Sequence, residues 1–492
     1  MPDRNADIAA LRLPLDQLPD PLPIPVIERP FDVTIRPPGS KSITNRALLL
    51  AALADGRGGA SELRGPLIDA DDAQVMLRAI QQLGAKVEIE RGRDGGLDIV
   101  RITGVNGRWE IPAGETITLN LNNAGTATRF LTAAAILAPP ESGGIIIDGD
   151  TRMRERPIGE LVEAIKRMGA APHYLAHTGF PPVHVAALRS LNGLRDLVEM
   201  ETTLSGQFVS AVALIAPFLP RGLRVRCRGR VTSADYVMMT LDILELVGVQ
   251  VHAAASGKET ETRGLGLDVQ ITPHRVPGFS LEVPSDASGA TYFQAAAALI
   301  PDAIVNIAGF GPRPWQADVE FPHVLGLAGT LCPNDIISGP LRGNTMLRGF
   351  SCSLAEMPDT AMTAAAIACF ASPTPDNPTA TTTLRGLRTL RVKETDRLAA
   401  LQTELSKLGA TVEIFQDGDD EGLKITPPPP SALGPAPSPL FFDTYNDHRM
   451  AMALALIGLR RPNVFIRNPA CVAKTYPTFW QDLARLYEPR TK

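Results

Sequence analysis

The stretch SKSITNRALLLAAL, from Ser40 to Leu53, shows the pattern that sets the fold. A short polar head with a Lys and an Arg runs directly into an apolar stretch of Ala and Leu. The opening turn of a helix has unpaired N–H groups and a positive dipole end, so a head of this kind can bind an anion. The Ala-rich continuation predicts a helix packed closely in a core. Related heads open five further stretches, which begin at Asn122, Thr202, Ser285, Met357 and Asn446.

A second pattern, an amphipathic helix followed by Gly and a strand, recurs between these stretches. It begins at Asp71, Gly159, Ser233 and Lys393, with weaker copies at Gln316 and Tyr476. The first pattern recurs at roughly 80 residues, which is too long for a solenoid repeat and fits a repeated α/β subdomain. We therefore predict an α/β protein of six related units. One polar head is an ordinary helix N-cap, but six heads with several cations favour a convergent anion site.

Length and composition predict at least two large domains. The chain has 492 residues, of which 44% are apolar and only 5% aromatic, as in α/β proteins with aliphatic cores. A net charge of −5 without a basic stripe argues against nucleic-acid binding. The five cysteines lack CxxC spacing, which argues against a disulfide framework or a zinc site and fits a reducing cytoplasm.

The N-terminal residues 1–30 are Pro-rich and contain several acids, without the features of a signal or transit peptide. We expect them to be a loosely ordered extension. No segment reaches the ~18 uninterrupted apolar residues of a membrane span, so no membrane partner is expected.

The segment PPGSKSITNR resembles a phosphate clamp, with Lys41 and Ser42 at a helix start and Arg46 one turn further on. It is not a Walker A loop, because Ser40 stands where that loop has Gly. NNAGTATR repeats the design. There Gly125 allows close approach to the backbone and Arg129 supplies charge, while MRERPIG adds Arg156 before a further helix start.

The segment LRVKETDRL predicts Lys393 and Arg397 on one helical face, where like charges repel by ~0.2–0.5 kcal/mol. An anion between them would remove this repulsion. Alternatively, Glu394 neutralises Arg397 in an ordinary surface pair. The functional interpretation makes Glu394 an acid beside an anionic ligand. YNDHRMAM places His448 and Arg449 at a helix start, and VAKTYP places Lys474 before the last helix.

Eight motifs in this order resemble those of one family, the EPSP synthases (3-phosphoshikimate 1-carboxyvinyltransferases). They are PGSKSxTNR, NNAGTATR, RERPIG, SGQF, PDTAMT, RVKETDR, NDHRMAM and AKTYP, and they run from about Pro37 to the C-terminus. Eight ordered motifs are far more specific than any one of them.

The resemblance implies an α/β fold of two lobes, each of three βαβαββ units, with the active site in the cleft between the lobes. By motif, one lobe is expected to comprise residues 39–284. The other is expected to comprise residues 1–38 and 285–492.

The resemblance also implies the reaction: the enolpyruvyl group of phosphoenolpyruvate is transferred to the 5-hydroxyl of shikimate 3-phosphate, and phosphate is released. This is a step of the shikimate pathway of aromatic amino-acid biosynthesis, and glyphosate inhibits it. The implied shikimate 3-phosphate contacts are Lys41, Ser42, Arg46, Ser205, Gly206, Gln207, Ser233, Tyr236, Asp359, Thr389 and Lys393. The implied phosphoenolpyruvate contacts are Lys41, Gly125, Arg129, Arg156, Gln207, Arg397, Arg449 and Lys474.

The catalytic residues implied by the resemblance are Asp359, Glu394, Lys41, Lys474 and His448. Asp359 would accept the proton of the 5-hydroxyl, Glu394 would donate one to the methylene carbon, and His448 would support Glu394. No metal or cofactor is expected, so catalysis rests on positioning and preorganised charge. We expect a cytoplasmic monomer whose partners are the two small-molecule substrates.

Three positions depart from the family pattern. Gly206 stands where Ser is frequent, Thr389 where Asn is frequent, and Phe130 where Pro is frequent. The first two bear on substrate affinity and the third on the response to glyphosate. Two alternatives stay open. A UDP-N-acetylglucosamine enolpyruvyl transferase typically has a reactive Cys near the region of Arg156, where Cys227 is the nearby cysteine, and a non-catalytic relative would keep the fold without turnover.

Overall fold

The computed structural model describes residues 4–93, 95–200, 205–229, 231–256, 266–311, 315–331, 341–342, 346–434 and 437–488. The chain divides into two compact units. Unit 1 is Met1–Pro38 together with Ser285–Lys492, and unit 2 is Gly39–Pro284.

The helices fall into a buried, Ala-rich set and an amphipathic set. In chain order they are α1 (Arg4–Ala10), α2 (Lys41–Leu53), α3 (Asp71–Gln82), α4 (Gly125–Ala134), α5 (Gly159–Met168), α6 (Gly206–Ile215), α7 (Ala234–Leu246), α8 (Ala287–Leu299), α9 (Phe321–Leu327), α10 (Ala361–Ala368), α11 (Arg397–Lys407), α12 (His448–Gly458) and α13 (Phe479–Ala484). None of the helices in the described ranges is long and apolar enough to cross a membrane.

The strands are short and form several small sheets. They are β1 (Leu22–Ile24), β2 (Asp32–Ile35), β3 (Ser61–Arg64), β4 (Lys86–Glu90), β5 (Ile99–Thr103), β6 (Thr116–Asn120), β7 (Gly144–Asp148), β8 (Pro172–Tyr174), β9 (Val183–Val185), β10 (Leu197–Met200), β11 (Leu223–Cys227), β12 (Val251–Ser256), β13 (Gly266–Ile271), β14 (Ser280–Glu282), β15 (Ile304–Ile307), β16 (Leu341–Arg342), β17 (Leu347–Arg348), β18 (Ser351–Ser353), β19 (Ala371–Ser372), β20 (Thr382–Arg385), β21 (Thr411–Asp417), β22 (Asp420–Thr426), β23 (Leu440–Phe442) and β24 (Val464–Ile466).

The sheets of unit 2 share one topology. Their strand orders are β14-β3-β5-β4, β6-β7-β9-β8 and β10-β11-β13-β12. In each sheet the first pair is parallel and the next two pairs are antiparallel. A parallel pair needs a crossover connection, which α4 supplies for β6 and β7, and α6 for β10 and β11. Each sheet with its two helices is therefore one repeated unit.

Unit 1 repeats this topology with strands from distant parts of the chain. Sheet β18-β20-β22-β21 has the same order of one parallel and two antiparallel pairs. The parallel pair β23–β24 flanks α12, and the parallel pair β2–β15 uses a strand from before unit 2. The predicted α/β architecture built from repeated units is thereby confirmed.

Four of the helices that open the repeated units are buried on all sides. Every residue of α4, α8, α10 and α12 is buried. Their Ala content allows close packing, because Ala adds little volume and loses no side-chain entropy. The second helices, such as α3 and α5, bury one face only. The weak copies at Gln316 and Tyr476 correspond to the short helices α9 and α13.

The expectation of a loosely ordered N-terminal extension is wrong for residues 4–30. Leu11 and Leu22 are completely buried in the core of unit 1, and β1 pairs antiparallel with β24. Gln481 Nε2 donates a hydrogen bond to the Leu13 carbonyl at 2.7 Å. A few well-spaced apolar side chains thus fix a segment whose Pro-rich composition alone is typical of a linker.

Candidate active site

Asp359 lies at the centre of a cluster of charged side chains in unit 1. It sits in the 3-10 helix Pro358–Thr360, directly before α10. Its Oδ1 accepts a hydrogen bond from Arg397 Nη1 at 2.9 Å and lies 3.5 Å from Lys393 Nζ. Its Oδ2 accepts a hydrogen bond from Arg449 Nη2 at 2.8 Å. Three cations therefore hold this carboxylate in place.

Arg397 connects three carboxylates from inside unit 1. Its side chain is 1% exposed, and it donates to Asp447 Oδ2 at 2.8 Å, to Asp359 Oδ1 at 2.9 Å and to Glu394 Oε2 at 3.0 Å. Burial alone lowers the pKa of Arg397, but the facing carboxylates of Asp447, Glu394 and Asp359 outweigh burial and raise it. The guanidinium is thus permanently charged and fixed by its planar fork of donors.

Glu394 has a cation at each carboxylate oxygen. Arg397 Nη2 donates to Oε2, and Lys474 Nζ lies 3.2 Å from Oε1. Lys474 belongs to the 3-10 helix Pro469–Lys474. The pair of Glu394 and Arg397 is therefore buried, unlike the surface pair considered from the sequence.

The start of α12 contributes Asp447, His448 and Arg449. Asp447 is the N-cap, and its Oδ1 accepts a hydrogen bond from the Arg449 backbone N–H at 2.9 Å. The preceding residues Tyr445 and Asn446 have φ values of 55° and 54°, a left-handed conformation that costs non-Gly residues energy. His448 is fully buried at the first helical position. This turn places a carboxylate and a guanidinium at the same helix entrance.

The prediction that Lys393 and Arg397 share one helical face is wrong. The helix begins only at Arg397, because Asp396 caps it by accepting a hydrogen bond from the Ala399 N–H at 3.1 Å. Lys393 has extended backbone geometry after the 3-10 helix Arg388–Val392. Both cations nevertheless reach Asp359. Burial lowers the pKa of Lys393, an effect that the Asp359 carboxylate partly offsets.

In unit 2, Gly125 lies directly beneath two guanidinium groups. A Cβ at this position would lie 2.7 Å from Arg156 Nη2 and 2.8 Å from Arg129 Nη1. Arg129 Nη1 also donates to Gln207 Oε1 at 2.7 Å, and Arg156 Nη1 donates to Asn123 Oδ1 at 3.0 Å. The head of α4 therefore combines helix N–H groups with two cations, an arrangement suited to an anion.

Arg46 binds protein groups inside unit 2. Its Nε donates to Thr240 Oγ1 at 2.7 Å, its Nη1 to the Ser42 carbonyl at 2.8 Å, and its Nη2 to the Tyr236 carbonyl at 2.9 Å. Its guanidinium carbon lies 5.2 Å from the centre of the Phe130 ring. Burial lowers the pKa of Arg46 to about 10, which leaves it charged at neutral pH.

The other predicted residues of unit 2 lie at helix starts. Lys41 is the first residue of α2, and its Nζ lies 3.4 Å from Asp72 Oδ2. Ser205 caps α6 by accepting a hydrogen bond from the Gln207 N–H at 3.3 Å. Ser233 precedes α7 with a left-handed φ of 54°.

Comparison with known proteins assigns the family. The family model for EPSP synthase (3-phosphoshikimate 1-carboxyvinyltransferase) matches residues 27–483. The chain belongs to the EPSP synthase family. The 3-phosphoshikimate 1-carboxyvinyltransferase of Laribacter hongkongensis is 39% identical over 92% of this chain and 96% of its own. The 3-phosphoshikimate 1-carboxyvinyltransferase of an Escherichia coli strain is 38% identical over 93% of this chain and 97% of its own. The predictions of the family, of the enzyme class and of the reaction are confirmed.

Solved structures agree in fold. An EPSP synthase from Acinetobacter baumannii has a TM-score of 0.68 at 23% identity, covering 93% of this chain and 96% of its own. The enolpyruvyl transferase NikO from Streptomyces tendae has a TM-score of 0.64 at 16% identity, covering 95% and 98%.

The structure shows the surroundings of two positions that depart from the family pattern, Gly206 and Thr389. A Cβ at Gly206 would lie 2.9 Å from the Thr232 carbonyl oxygen and 3.0 Å from that of Ser233, so the start of α7 fits tightly against Gly206. Thr389 lies in the 3-10 helix Arg388–Val392, and its buried hydroxyl has no hydrogen-bond partner among the described residues.

Cys227 lacks the properties of a reactive cysteine. It is buried in β11, and burial raises the pKa of its thiol to about 12. A thiol nucleophile needs the opposite shift. Cys352, Cys369 and Cys471 are also free, and Cys332 lies outside the described residues. Within the described ranges, no three or more His, Cys, Asp or Glu side chains are placed to hold a metal ion.

Sequence reasoning missed three carboxylates around the site of unit 1. Asp447 could have been found, because Asp directly before an apolar helix is a typical N-cap. Glu404 is fully buried on α11 and accepts hydrogen bonds from the Tyr445 hydroxyl at 2.6 Å and the Asp443 N–H at 2.9 Å. Asp318 is the third. Neither Glu404 nor Asp318 lies in a motif that marks it.

Proposed function

We propose that the chain performs the reaction of its family with its acid–base groups in unit 1. The enolpyruvyl group of phosphoenolpyruvate passes to the 5-hydroxyl of shikimate 3-phosphate, and inorganic phosphate leaves. The observation that carries the assignment of roles is that Asp359 and Glu394, the proposed base and acid, are held by the same guanidinium, that of Arg397.

Asp359 is the proposed base for the 5-hydroxyl proton. Without substrate its carboxylate is held by Arg397, Arg449 and Lys393, and this makes it a weak base. Substrate phosphate and carboxylate groups attract the same cations. As they draw Lys393 and Arg449 away, Asp359 becomes more basic at the moment when the hydroxyl has to lose its proton.

Glu394 is the proposed donor of a proton to the methylene carbon of phosphoenolpyruvate. The methyl group so formed must lose a proton again as phosphate leaves, so that the transferred group regains its C=C bond, and the Glu394 carboxylate is the proposed acceptor. Glu394 must first gain the proton that it donates, and its contacts with Arg397 and Lys474 oppose this. When the anionic groups of phosphoenolpyruvate bind Lys474, one carboxylate oxygen loses its cation and the protonated form becomes accessible. His448, one helix position from Asp447, is the proposed support of this group.

Unit 2 supplies the proposed anion-binding groups. Gly125, Arg129 and Arg156 are assigned to phosphoenolpyruvate, because two guanidiniums and the start of α4 meet there. Arg46 is assigned to shikimate 3-phosphate mainly through Ser42 and Tyr236, whose carbonyls it binds. The remaining substrate assignments are proposed as the family motifs place them: Lys41, Ser205, Gly206, Gln207, Ser233, Thr389 and Lys393.

The proposal requires no cofactor, because positioned charges and two carboxyl groups account for each proton transfer. We also propose that the protein is a cytoplasmic monomer. Four free, dispersed cysteines among the described residues agree with a reducing compartment. Light scattering after gel filtration tests the monomeric state.

A phosphate-release assay tests the proposed reaction. Purified protein should release inorganic phosphate only with both phosphoenolpyruvate and shikimate 3-phosphate. UDP-N-acetylglucosamine should not replace the second substrate. Release with the sugar nucleotide, and none with shikimate 3-phosphate, would contradict the proposal.

A further inference from the structure

Asp318 is a buried carboxyl group with few partners. It lies in the 3-10 helix Ala317–Glu320 and is 2% exposed. Its Oδ2 accepts a hydrogen bond from the hydroxyl of Ser288, in the first turn of α8, and its Oδ1 has no hydrogen-bond partner among the described residues. A buried carboxylate without a cation at its oxygens is costly, so a carboxyl group in this setting keeps its proton.

The short helix that carries Asp318 is attached to the start of α8 at two points. Besides Ser288, the Gln316 side chain accepts a hydrogen bond from the Ala287 N–H at 3.0 Å and donates one to the Ser285 carbonyl at 2.9 Å. Asp318 and Gln316 together therefore determine where the first turn of α8 lies.

The charged groups around Asp318 belong to the proposed site. Asp359, before α10, and Asp286, the N-cap of α8, disfavour a negative charge on Asp318, whereas Arg449 on α12 favours one. On its own helix, Glu320 is exposed and its carboxylate lies 2.6 Å from the His323 ring of α9. Burial, followed by the Asp359 carboxylate, raises the pKa of Asp318 to about 7.

We propose that Asp318 is a positioning residue that works in its protonated form, holding the start of α8 through Ser288 and leaving the charge of Arg449 to the substrate. Ionised Asp318 would place a second negative charge near Arg449, which already binds Asp359 at 2.8 Å. This charge would compete with the anionic groups of phosphoenolpyruvate. The inference rests on the proposed function for its kinetic consequence, but not for the ionisation of Asp318 itself.

Kinetics of Asp318→Asn across pH test the consequence for binding. Asn resembles the protonated carboxyl group, so at about pH 6 kcat should stay within about threefold of wild type. As pH rises to about 8.5, the KM of wild type for phosphoenolpyruvate should rise about three- to tenfold relative to that of Asp318→Asn. The ratio of the two KM values at each pH removes the effect of titration of the substrate phosphate, because that effect is the same for both proteins. The KM for shikimate 3-phosphate should change less.

Two variants serve as comparisons. Glu320→Gln removes an exposed charge from the same turn, so its KM ratio to wild type should not depend on pH. Ser288→Ala removes the hydrogen bond that stabilises the ionised carboxylate, so the transition should move to higher pH. A pH-independent ratio for Asp318→Asn, or a transition that moves down in Ser288→Ala, would overturn the proposal.

Thermal unfolding tests the ionisation without any activity. The unfolded chain releases the Asp318 proton near pH 4, and the folded protein near pH 7. Stability from this group therefore falls as pH rises through this window and levels off above it. The Tm of Asp318→Asn relative to wild type should rise from about pH 5 to about pH 7 and then stay level. A flat difference refutes the protonated state, whereas inactivity of wild type with this Tm pattern refutes only the proposed function.

Discussion

Replacing Arg397 with Lys tests how far buried charge pairing stabilises unit 1. Arg397 uses all three of its side-chain nitrogens to bind Asp447, Asp359 and Glu394, and Asp447 is completely buried. A Lys ammonium is a single point of charge and cannot hold all three carboxylates at these distances. At least one of these buried ion pairs would therefore be lost. Breaking a buried ion pair costs about 3–5 kcal/mol, so we expect Arg397→Lys to lower the free energy of unfolding by about 3 kcal/mol.

Arg391 provides a matched control in the same segment. It also binds two carboxylates, Asp396 and Glu421, each at 2.7 Å, but its side chain is 32% exposed. Water can solvate a carboxylate that Lys at this position does not reach, so Arg391→Lys should lower the free energy of unfolding by less than about 1 kcal/mol. Urea unfolding followed by circular dichroism gives the free energy of unfolding of each variant. The two values can be compared if the free energy depends on urea concentration with the same slope in both variants. Equal losses in the two variants would refute the idea that burial makes the Arg397 cluster stabilising.

Four further substitutions test the site. Asp359→Asn and Glu394→Gln should each lower kcat about a hundredfold or more, because the loss of general acid–base catalysis costs ~10²–10⁴ in rate. Calorimetry should still detect binding of shikimate 3-phosphate to both variants. Turnover near that of wild type would contradict the proposed roles. Gly125→Ala should raise the KM for phosphoenolpyruvate about tenfold, because its Cβ would displace both guanidiniums, whereas an unchanged KM would mean that they move aside without loss. Glu404→Gln should lower the free energy of unfolding by about 1–3 kcal/mol, because the Glu404 carboxylate binds the Tyr445 hydroxyl and so holds the left-handed turn at Tyr445. The variant should also bind phosphoenolpyruvate more weakly. Unchanged urea unfolding and an unchanged KM for phosphoenolpyruvate would refute this role.

The sequence contains enough to predict the repeated architecture. Ala-rich helices with polar starts are local patterns, and the structure begins a helix within four residues of each predicted head, at Lys41, Gly125, Gly206, Ala287, Ala361 and His448. The local pattern failed at Lys393, where periodicity suggested a longer helix. There Asp396 caps the helix at Arg397 by accepting a hydrogen bond from the Ala399 N–H, and Asp is more favourable at an N-cap than inside a helix.

Other features depend on contacts between distant residues, which periodicity does not report. Asp318 meets Ser288 from 30 positions away, and nothing around it in the sequence distinguishes it from a surface acid. Arg46 looks like a ligand-binding Arg, yet its donors reach Thr240 and Tyr236, which lie more than 180 positions further on. Burial of a charged group is a tertiary property, so only the folded chain reveals which charges are paired.

The pairing of β1 with β24 bears on how this protein can be shortened. The family match begins at residue 27, so a chain trimmed to that boundary would lose Leu22–Ile24. The backbone of β24 would then have an unpaired edge, with Phe465 and Ile466 along it. Exposed apolar edges pair with other chains, so such a truncated protein should aggregate during expression even though every proposed catalytic residue is present.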